Sequence, residues 1–135
     1  MHSTVHEVTT GSRLVTDLTS HLIDFCRGRG DGLCHVFVPH ATAGLALIET
    51  GSGTEPDLAE ALERMLPTED VYVHRHGSLG HGRDHVMPAF VSPSLTLPVI
   101  GGSPQLGTWQ SVVLVDPNAD NPRRQVRLSF VAEPG

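Results

Sequence analysis

The stretch from Val38 to Glu49, VPHATAGLALIE, decides the fold class and contains the first candidate site. An apolar run enters it and another leaves it, while small residues follow His40 between them. This pattern predicts a strand, a tight corner and a second strand that ends at Glu49. His40 and Glu49, on either side of the connection, are expected at one end of a sheet, where a metal or polar ligand could bind. The alternative is a plain hairpin in which His40 is solvated.

Length and composition indicate one soluble globular domain. A chain of 135 residues is near the common size of a single domain, so one domain is expected over residues 1–135. Hydrophobic residues make up 39% and charged residues 18%, and no apolar run is long enough to cross a membrane. The first residues lack the basic and apolar regions of a secretory signal, so a cytoplasmic location is expected.

Charge and cysteine content exclude some classes of partner. The net charge is −6, with 9 Lys and Arg against 15 Asp and Glu, which disfavours binding to nucleic acid or to an anionic membrane. Cys26 and Cys34 are the two cysteines, and in a reducing compartment we expect them to be small buried hydrophobic residues without a disulfide.

Apolar periodicity predicts an α+β protein with mainly antiparallel sheets and two main helices packed on them. A strand near an edge is expected at 4–10, followed by a helix from Thr16 to about Arg27 that Thr16 or Asp17 caps. A second helix starts at Glu55-Pro56-Asp57 and stops at Pro67, and 84–91 is expected to be a short helix or turn. The other predicted strands are 33–38, 44–48, 71–74, 94–99, 111–115 and 125–131, with a glycine-rich loop at 76–82.

Histidines are the unusual residues of this chain. There are nine, and four of them fall between His74 and His85. If 82–91 is helical, His81 and His85 lie on one face as two metal ligands would, although the glycines at 80 and 82 weaken the start of such a helix. The alternative is a solvated polar loop. Glu49, Asp57 and Asp84 are the carboxylates available nearby, and Asp57 also has an ordinary role at a helix start.

Two further segments could contact a ligand. Trp109 follows a tight turn and either anchors the core or stacks on a ligand, beside the amide of Gln110. Arg123 and Arg124, in a turn before the last strand, could bind a phosphate, although solvated turn arginines are common.

An ordered set of short motifs resembles the YjbQ-like family, also called the secondary thiamine-phosphate synthase family. The motifs span about residue 36 to residue 131. They are His40-x-Thr42-Ala43 followed by Glu49, Pro67 after a helix, Tyr72-x-His74, the loop ending at His85, Leu97-Pro98-Val99 with Gly101 and Gly102, and Leu106-Gly107-Thr108-Trp109-Gln110.

The resemblance implies a compact α+β protein that forms a homotrimer with its sheets around a threefold axis. It also implies thiamine-phosphate synthase activity, which joins hydroxymethylpyrimidine diphosphate to thiazole phosphate and releases pyrophosphate. The polar site implied is His40, Glu49, His74 and His85, with Thr42, Gln110, Arg123 and Arg124 nearby.

The resemblance and the residue types together give a set of expected roles. A divalent metal is expected on His40, His74 and His85, and Glu49 and His40 are the expected catalytic groups. Three imidazoles suit zinc or another transition metal better than magnesium. Small phosphorylated substrates are expected to contact Thr42, Trp109, Gln110, Arg123 and Arg124.

The chain departs from the family pattern at Ala41, at Ile48, and at Gly80 and His81 in the loop before the last histidine. His81 could therefore supply a fourth imidazole. Two other functions stay open: a non-catalytic homotrimer that binds a metal or small ligand, and a metal-assisted hydrolase.

Overall fold

Eight strands and three helices in the described part of the chain form an α+β fold, the class that the sequence predicts. The computed structural model describes residues 1–69, 72–74 and 80–135. The strands are β1 (His2–Thr9), β2 (Val15–Asp17), β3 (Gly32–Phe37), β4 (Gly44–Ile48), β5 (Ser94–Ile100), β6 (Ser103–Pro104), β7 (Ser111–Val115) and β8 (Arg123–Ala132). The helices are α1 (Thr19–Cys26), α2 (Thr54–Met65) and α3 (His81–Val86), and a 3-10 turn (Met87–Ala89) follows α3.

The strands make two antiparallel sheets. The larger sheet has the order β1-β8-β3-β5-β6, and the smaller one has the order β2-β7-β4. Every pairing between neighbouring strands is antiparallel, which confirms the predicted sheet type. The first strand lies at the edge of the larger sheet, also as predicted.

The smaller sheet is covered on both faces. Val112 and Leu114 of β7 point into the main core, while Val113 and Val115 point into a second core beneath α2 and the 3-10 turn. All four side chains are 0% exposed. Because both faces are buried, β7 is a continuous apolar run and does not alternate with polar residues.

The larger sheet packs one face on α1. Val126, Leu128 and Phe130 of β8 are buried in the main core with Leu22 and Phe25 of the helix. The intervening Gln125 and Arg127 are exposed, so the alternation predicted for the last strand is confirmed.

The two strands around the opening stretch belong to different sheets. The third strand pairs with β5 and β8, whereas the fourth pairs with β7, so the alternative of a plain hairpin is wrong. The connection of residues 38–43 crosses between the sheets and carries His40. Glu49 follows the far end of β4, about 15 Å of extended chain from its start. The fold therefore separates His40 from Glu49 instead of bringing both to one sheet end.

Three other predicted boundaries need correction. The first helix begins at Thr19 and not at Thr16, because residues 15–17 pair with β7; the Asp17 Oδ1 atom still accepts a hydrogen bond from the Thr19 amide at 2.9 Å. Arg123 and Arg124 are the first residues of β8 and not a turn. A strand is predicted at 71–74, but residues 72–74 form no strand and instead pack against α3 at Gly82. Residue 71 lies outside the described residues.

The second helix has the predicted boundaries, and the short helix expected at 84–91 forms as α3 and the 3-10 turn. Most of the glycine-rich loop, residues 75–79, lies outside the described residues. None of the helices in the described ranges is long and apolar enough to span a membrane.

Candidate metal centre

Three histidines gather at the start of α3. One ring nitrogen from each of His74, His81 and His85 lies within 4.8 Å of the other two. The Nε2 atoms of His81 and His85 are 2.9 Å apart, and the ring centroids of His74 and His85 are 4.0 Å apart. Two lone pairs at 2.9 Å repel each other, so these nitrogens need a proton or a cation between them. The cluster has the donor chemistry of a transition-metal site.

The helix and a close backbone contact bring the three rings together. His81 and His85 are four residues apart in α3 and therefore share a face, as predicted. A Cβ atom on Gly82 would lie 2.7 Å from the carbonyl oxygen of His74 and 2.8 Å from the Cβ of Tyr72. The glycine expected to weaken the helix thus lets residues 72–74 approach it, which places His74 over the two helical histidines.

A polar loop after β7 orients His81. The Nδ1 atom of His81 lies 3.3 Å from the carboxylate Oδ2 of Asp120 and 3.3 Å from the Nδ2 of Asn118. The Asp120 amide donates to the Asn118 Oδ1 at 2.9 Å, so the loop holds its own shape. A carboxylate on one ring nitrogen leaves the other nitrogen with its lone pair directed at a metal, which is the usual arrangement around metal-binding histidines.

A buried ion pair holds that loop in place. The Arg124 Nε and Nη2 atoms donate to the two carboxylate oxygens of Asp116 at 2.6 and 2.9 Å, and the two side chains are 3% and 1% exposed. The Asn118 amide donates to the Asp116 Oδ1 at 3.1 Å. Arg124 also donates to the Thr42 hydroxyl at 2.9 Å. The cross-sheet connection and the polar loop are therefore joined through one guanidinium group.

His40 lies near the ion pair of Arg124 and Asp116 and is not one of the three clustered histidines. Its Nε2 atom accepts a hydrogen bond from the Gln125 amide at 2.9 Å. Burial lowers the pKa of His40, and the nearby Arg124 charge lowers it further, while Asp116 acts in the opposite direction. Only an unprotonated nitrogen can accept from the amide, so this contact also requires the neutral ring.

The buried carboxyl of α3 already has a partner. Burial raises the pKa of Asp84, and the hydrogen bond from Arg83 at 2.8 Å opposes that increase. Arg83 also lies 3.7 Å from Glu63 of α2. Arg83 and Asp116 line a cleft of about 220 Å³. Since both charges are paired there, this cleft lacks a cation available for a phosphate.

Other predicted site residues lie in different places. Glu49 is exposed and accepts a hydrogen bond from the Ser52 hydroxyl at 3.1 Å. The Gln110 amide oxygen accepts from the Gly107 amide at 2.8 Å, which stabilises its own turn. Trp109 is 73% exposed, so the expectation that it anchors the core is wrong. Arg123 is exposed, whereas Arg124 is buried in its ion pair. The predicted ligand-binding roles of these residues stay predictions.

Sequence reasoning missed the three polar residues that support the cluster, Asp116, Asn118 and Asp120. A signal was present, because the segment 116–121 reads DPNADN directly after an apolar strand, where polar residues from a loop often meet a site. The pairing of the segment with Arg124 and His81 depends on the tertiary fold.

The geometry defines a small α+β protein with two antiparallel sheets and a candidate histidine metal centre. A family model described as UPF0047 protein YjbQ-like matches residues 4–133. The chain belongs to this YjbQ-like UPF0047 family, which confirms that part of the resemblance.

Relatives and solved structures agree with this assignment. A UPF0047 protein of Mycobacterium tuberculosis is 61% identical over 131 residues, covering 97% of this chain and 98% of the relative. The UPF0047 protein YjbQ of Salmonella typhimurium is 30% identical over 112 residues, covering 82% and 81%. A hypothetical protein of Aeropyrum pernix has a TM-score of 0.89 at 27% identity, covering 98% of this chain and 100% of its own. A YbjQ-like protein of unknown function from Sulfolobus solfataricus has a TM-score of 0.86 at 22% identity, covering 98% and 100%, which shows the fold alone.

Proposed function

We propose that this protein is a metal-dependent enzyme whose metal ligands are His74, His81 and His85. The observation that carries the proposal is the set of three ring nitrogens within 4.8 Å of one another, with Asp120 beside one ring. In this proposal His81 takes the ligand position that sequence reasoning gave to His40, because the Nε2 atom of His40 already accepts from a backbone amide.

The donor set favours zinc or another late divalent transition metal over magnesium, which prefers oxygen ligands. Ring centroids on a tetrahedral zinc ion stand roughly 5 Å apart, given zinc–nitrogen distances of about 2 Å. The centroids of His74 and His81 are 5.4 Å apart, those of His81 and His85 are 4.5 Å apart and those of His74 and His85 are 4.0 Å apart. Metal binding would therefore require the rings of His74 and His85 to separate by about 1 Å. A metal held by three imidazoles keeps an open position and can activate a water molecule or stabilise a leaving anion.

For the reaction, we propose thiamine-phosphate synthesis from hydroxymethylpyrimidine diphosphate and thiazole phosphate, with release of pyrophosphate. This proposed reaction rests on the resemblance of the sequence motifs to those of the YjbQ-like family. Phosphate binding would fall to Arg123, since Arg124 is neutralised by Asp116. The neutral His40 carries its proton on Nδ1, because its Nε2 atom accepts from the Gln125 amide, so it is suited to donate a hydrogen bond to a substrate. Exposed Trp109 offers a face for stacking on a planar ring. The predicted catalytic role of Glu49 is retained as a separate hypothesis.

We further propose a homotrimer built on the outer face of the larger sheet. Five large hydrophobic side chains are exposed there or next to it, namely Val5, Leu33, Phe37, Ile100 and Val131. An assembly that covers them would remove an apolar surface from water. A cytoplasmic location also belongs to this proposal, and it agrees with the two free cysteines, Cys26 and Cys34.

Metal analysis of tag-free protein tests the centre. Wild-type protein should bind zinc at this site, and both His81→Ala and His85→Ala should lose it. His35→Ala is the matched control, since His35 lies on the larger sheet and contacts Thr96. Equal zinc content in all three variants would refute the ligand assignment.

A pyrophosphate-release assay with the two thiamine precursors tests the reaction. Activity should be lost in His85→Ala and fall strongly in Arg123→Ala and His40→Ala. Glu49→Ala tests the remaining catalytic hypothesis. If zinc binds but the wild-type protein and His85→Ala release pyrophosphate at the same background rate, the metal centre stands and the proposed reaction is wrong.

A further inference from the structure

A second group of histidines faces a cleft between β1 and α1 and shares no residue with the proposed centre. The cleft has a volume of about 300 Å³. The side chains that matter for the argument line it from both elements: His2 and His6 from the strand, His21, Asp24 and Phe25 from the helix, and Arg29 after it.

Strand and helix periodicity explain why these side chains meet. His2 and His6 are four residues apart in a strand, so they share the face that also carries buried Val8. His21, Asp24 and Phe25 share a helix face, because they stand at positions i, i+3 and i+4. The helix packs on the sheet through Phe25, so the two histidine-bearing faces open onto one cleft.

The spacing of two rings is that of a metal site. The ring centroids of His6 and His21 are 5.3 Å apart at an interplanar angle of 49°. Two imidazoles on a tetrahedral zinc ion have centroids roughly 5 Å apart. Neither ring makes a hydrogen bond to any residue in the described part of the chain, so their nitrogens are available to a ligand.

One guanidinium group and one carboxylate line the same cleft. The Arg29 guanidinium is held against the helix, with its Nε donating to the Phe25 carbonyl oxygen at 2.5 Å and its charge 4.5 Å above the Phe25 ring. Asp24 pairs with Arg27 at 3.2 Å, but both side chains are 71% exposed. Such an exposed ion pair is weak, and the carboxylate can turn towards a stronger cation.

We infer that His6 and His21 anchor a second binding site for a late divalent transition metal, such as zinc, with water as the further ligands. Asp24 could join them only by leaving its ion pair with Arg27. This site is independent of the proposed centre at His74, His81 and His85. Because it has two histidine ligands and is exposed to solvent, it should bind the metal more weakly than the three-histidine cluster does.

Zinc titration of tag-free full-length protein tests the inference. Equilibrium dialysis against zinc chloride at neutral pH should give about two zinc ions per chain in the wild-type protein. His6→Ala and His21→Ala should each weaken the second binding step at least tenfold and leave the first unchanged. His35→Ala is the control, and both variants should keep the wild-type circular dichroism spectrum because His6 and His21 are not core residues.

The ring nitrogen resonances of His6 and His21 in nitrogen-15 NMR spectra should shift when zinc is added. A single binding step in the wild-type protein, or two unchanged steps in a His6→Ala/His21→Ala double variant, would overturn the inference. His85→Ala separates the two proposals: it should abolish only the tight step. If His85→Ala loses the tight binding step but the His6→Ala/His21→Ala double variant binds zinc like the wild-type protein, the proposed centre is supported and the second site is refuted.

Discussion

Replacing Asp116 with asparagine should destabilise the protein strongly. Asp116 accepts hydrogen bonds from Arg124 at 2.6 and 2.9 Å, from the Asn118 amide at 3.1 Å and from the Thr10 hydroxyl at 3.4 Å. Asp116→Asn removes the counter-charge of a guanidinium that is only 3% exposed and turns an amide NH2 towards the donors.

The expected cost follows from this burial. Breaking a buried ion pair by changing one partner costs about 3–5 kcal/mol, since the other charge stays buried without compensation. For a chain of this length each kcal/mol lowers the melting temperature by about 3–4 °C, so a decrease of at least about 10 °C is expected. Differential scanning calorimetry and urea unfolding would measure both quantities.

An exposed ion pair provides the matched control. Glu60 and Arg64 form an i,i+4 pair on α2 with side chains 61% and 77% exposed. Glu60→Gln makes the same kind of substitution and should cost less than about 0.5 kcal/mol. In addition, Asp116→Leu/Arg124→Met should be more stable than Asp116→Leu alone, because the double variant leaves no buried charge. If Asp116→Asn costs no more than Glu60→Gln, the reasoning is refuted.

Three further predictions concern the candidate site. Asp120→Ala should weaken zinc binding about 10- to 100-fold by removing the carboxylate beside His81, and unchanged affinity in a zinc titration would contradict that role. Gly82→Ala should cost about 1–3 kcal/mol in urea unfolding and weaken zinc binding, because its Cβ would push the His74 segment away from α3; a variant with wild-type stability and affinity would rule this out. The lowered pKa of His40 means that the unfolded chain binds more protons there, so this residue's contribution to stability is present above about pH 6.5 and is lost as the pH falls. Urea unfolding between pH 7.5 and 5.5 should show a weaker decline in His40→Gln than in the wild-type protein, and parallel curves would exclude this contribution.

Local patterns were sufficient for most of the fold. The alternation of residues 125–131 predicts β8, and the structure confirms it. Residues 111–115 are also predicted as an alternating strand; the strand forms as β7, but its two faces are both apolar because each is buried in a core. The second helix was bounded by Pro56 near its start and Pro67 after its end. The short strands β2 and β6 were missed, since three and two residues are too few to show a period.

The candidate site was less predictable because its parts meet only in the tertiary fold. Helical spacing linked His81 with His85, but the glycines beside them argued against a helix. Gly82 is present because the backbone of residues 72–74 leaves no space for a side chain, which no local pattern can reveal. The separation of His40 from Glu49 likewise depends on which sheet each strand joins. The sequence of a short connection is the same whether the two flanking strands pair with each other or join different sheets.

The ion pair of Asp116 and Arg124 explains how fold and site are coupled. Arg124 belongs to the larger sheet and Asp116 follows a strand of the smaller one, so their contact joins the two sheets at the end where the cross-sheet connection runs. The same carboxylate holds Asn118, and through that loop it sets the position of Asp120 beside His81. A buried ion pair contributes little net stability compared with a packed hydrophobic pair. The ion pair instead determines orientation, because its bidentate contact holds the loop in one position. Apolar side chains in its place would leave the orientation of the histidine ring undetermined.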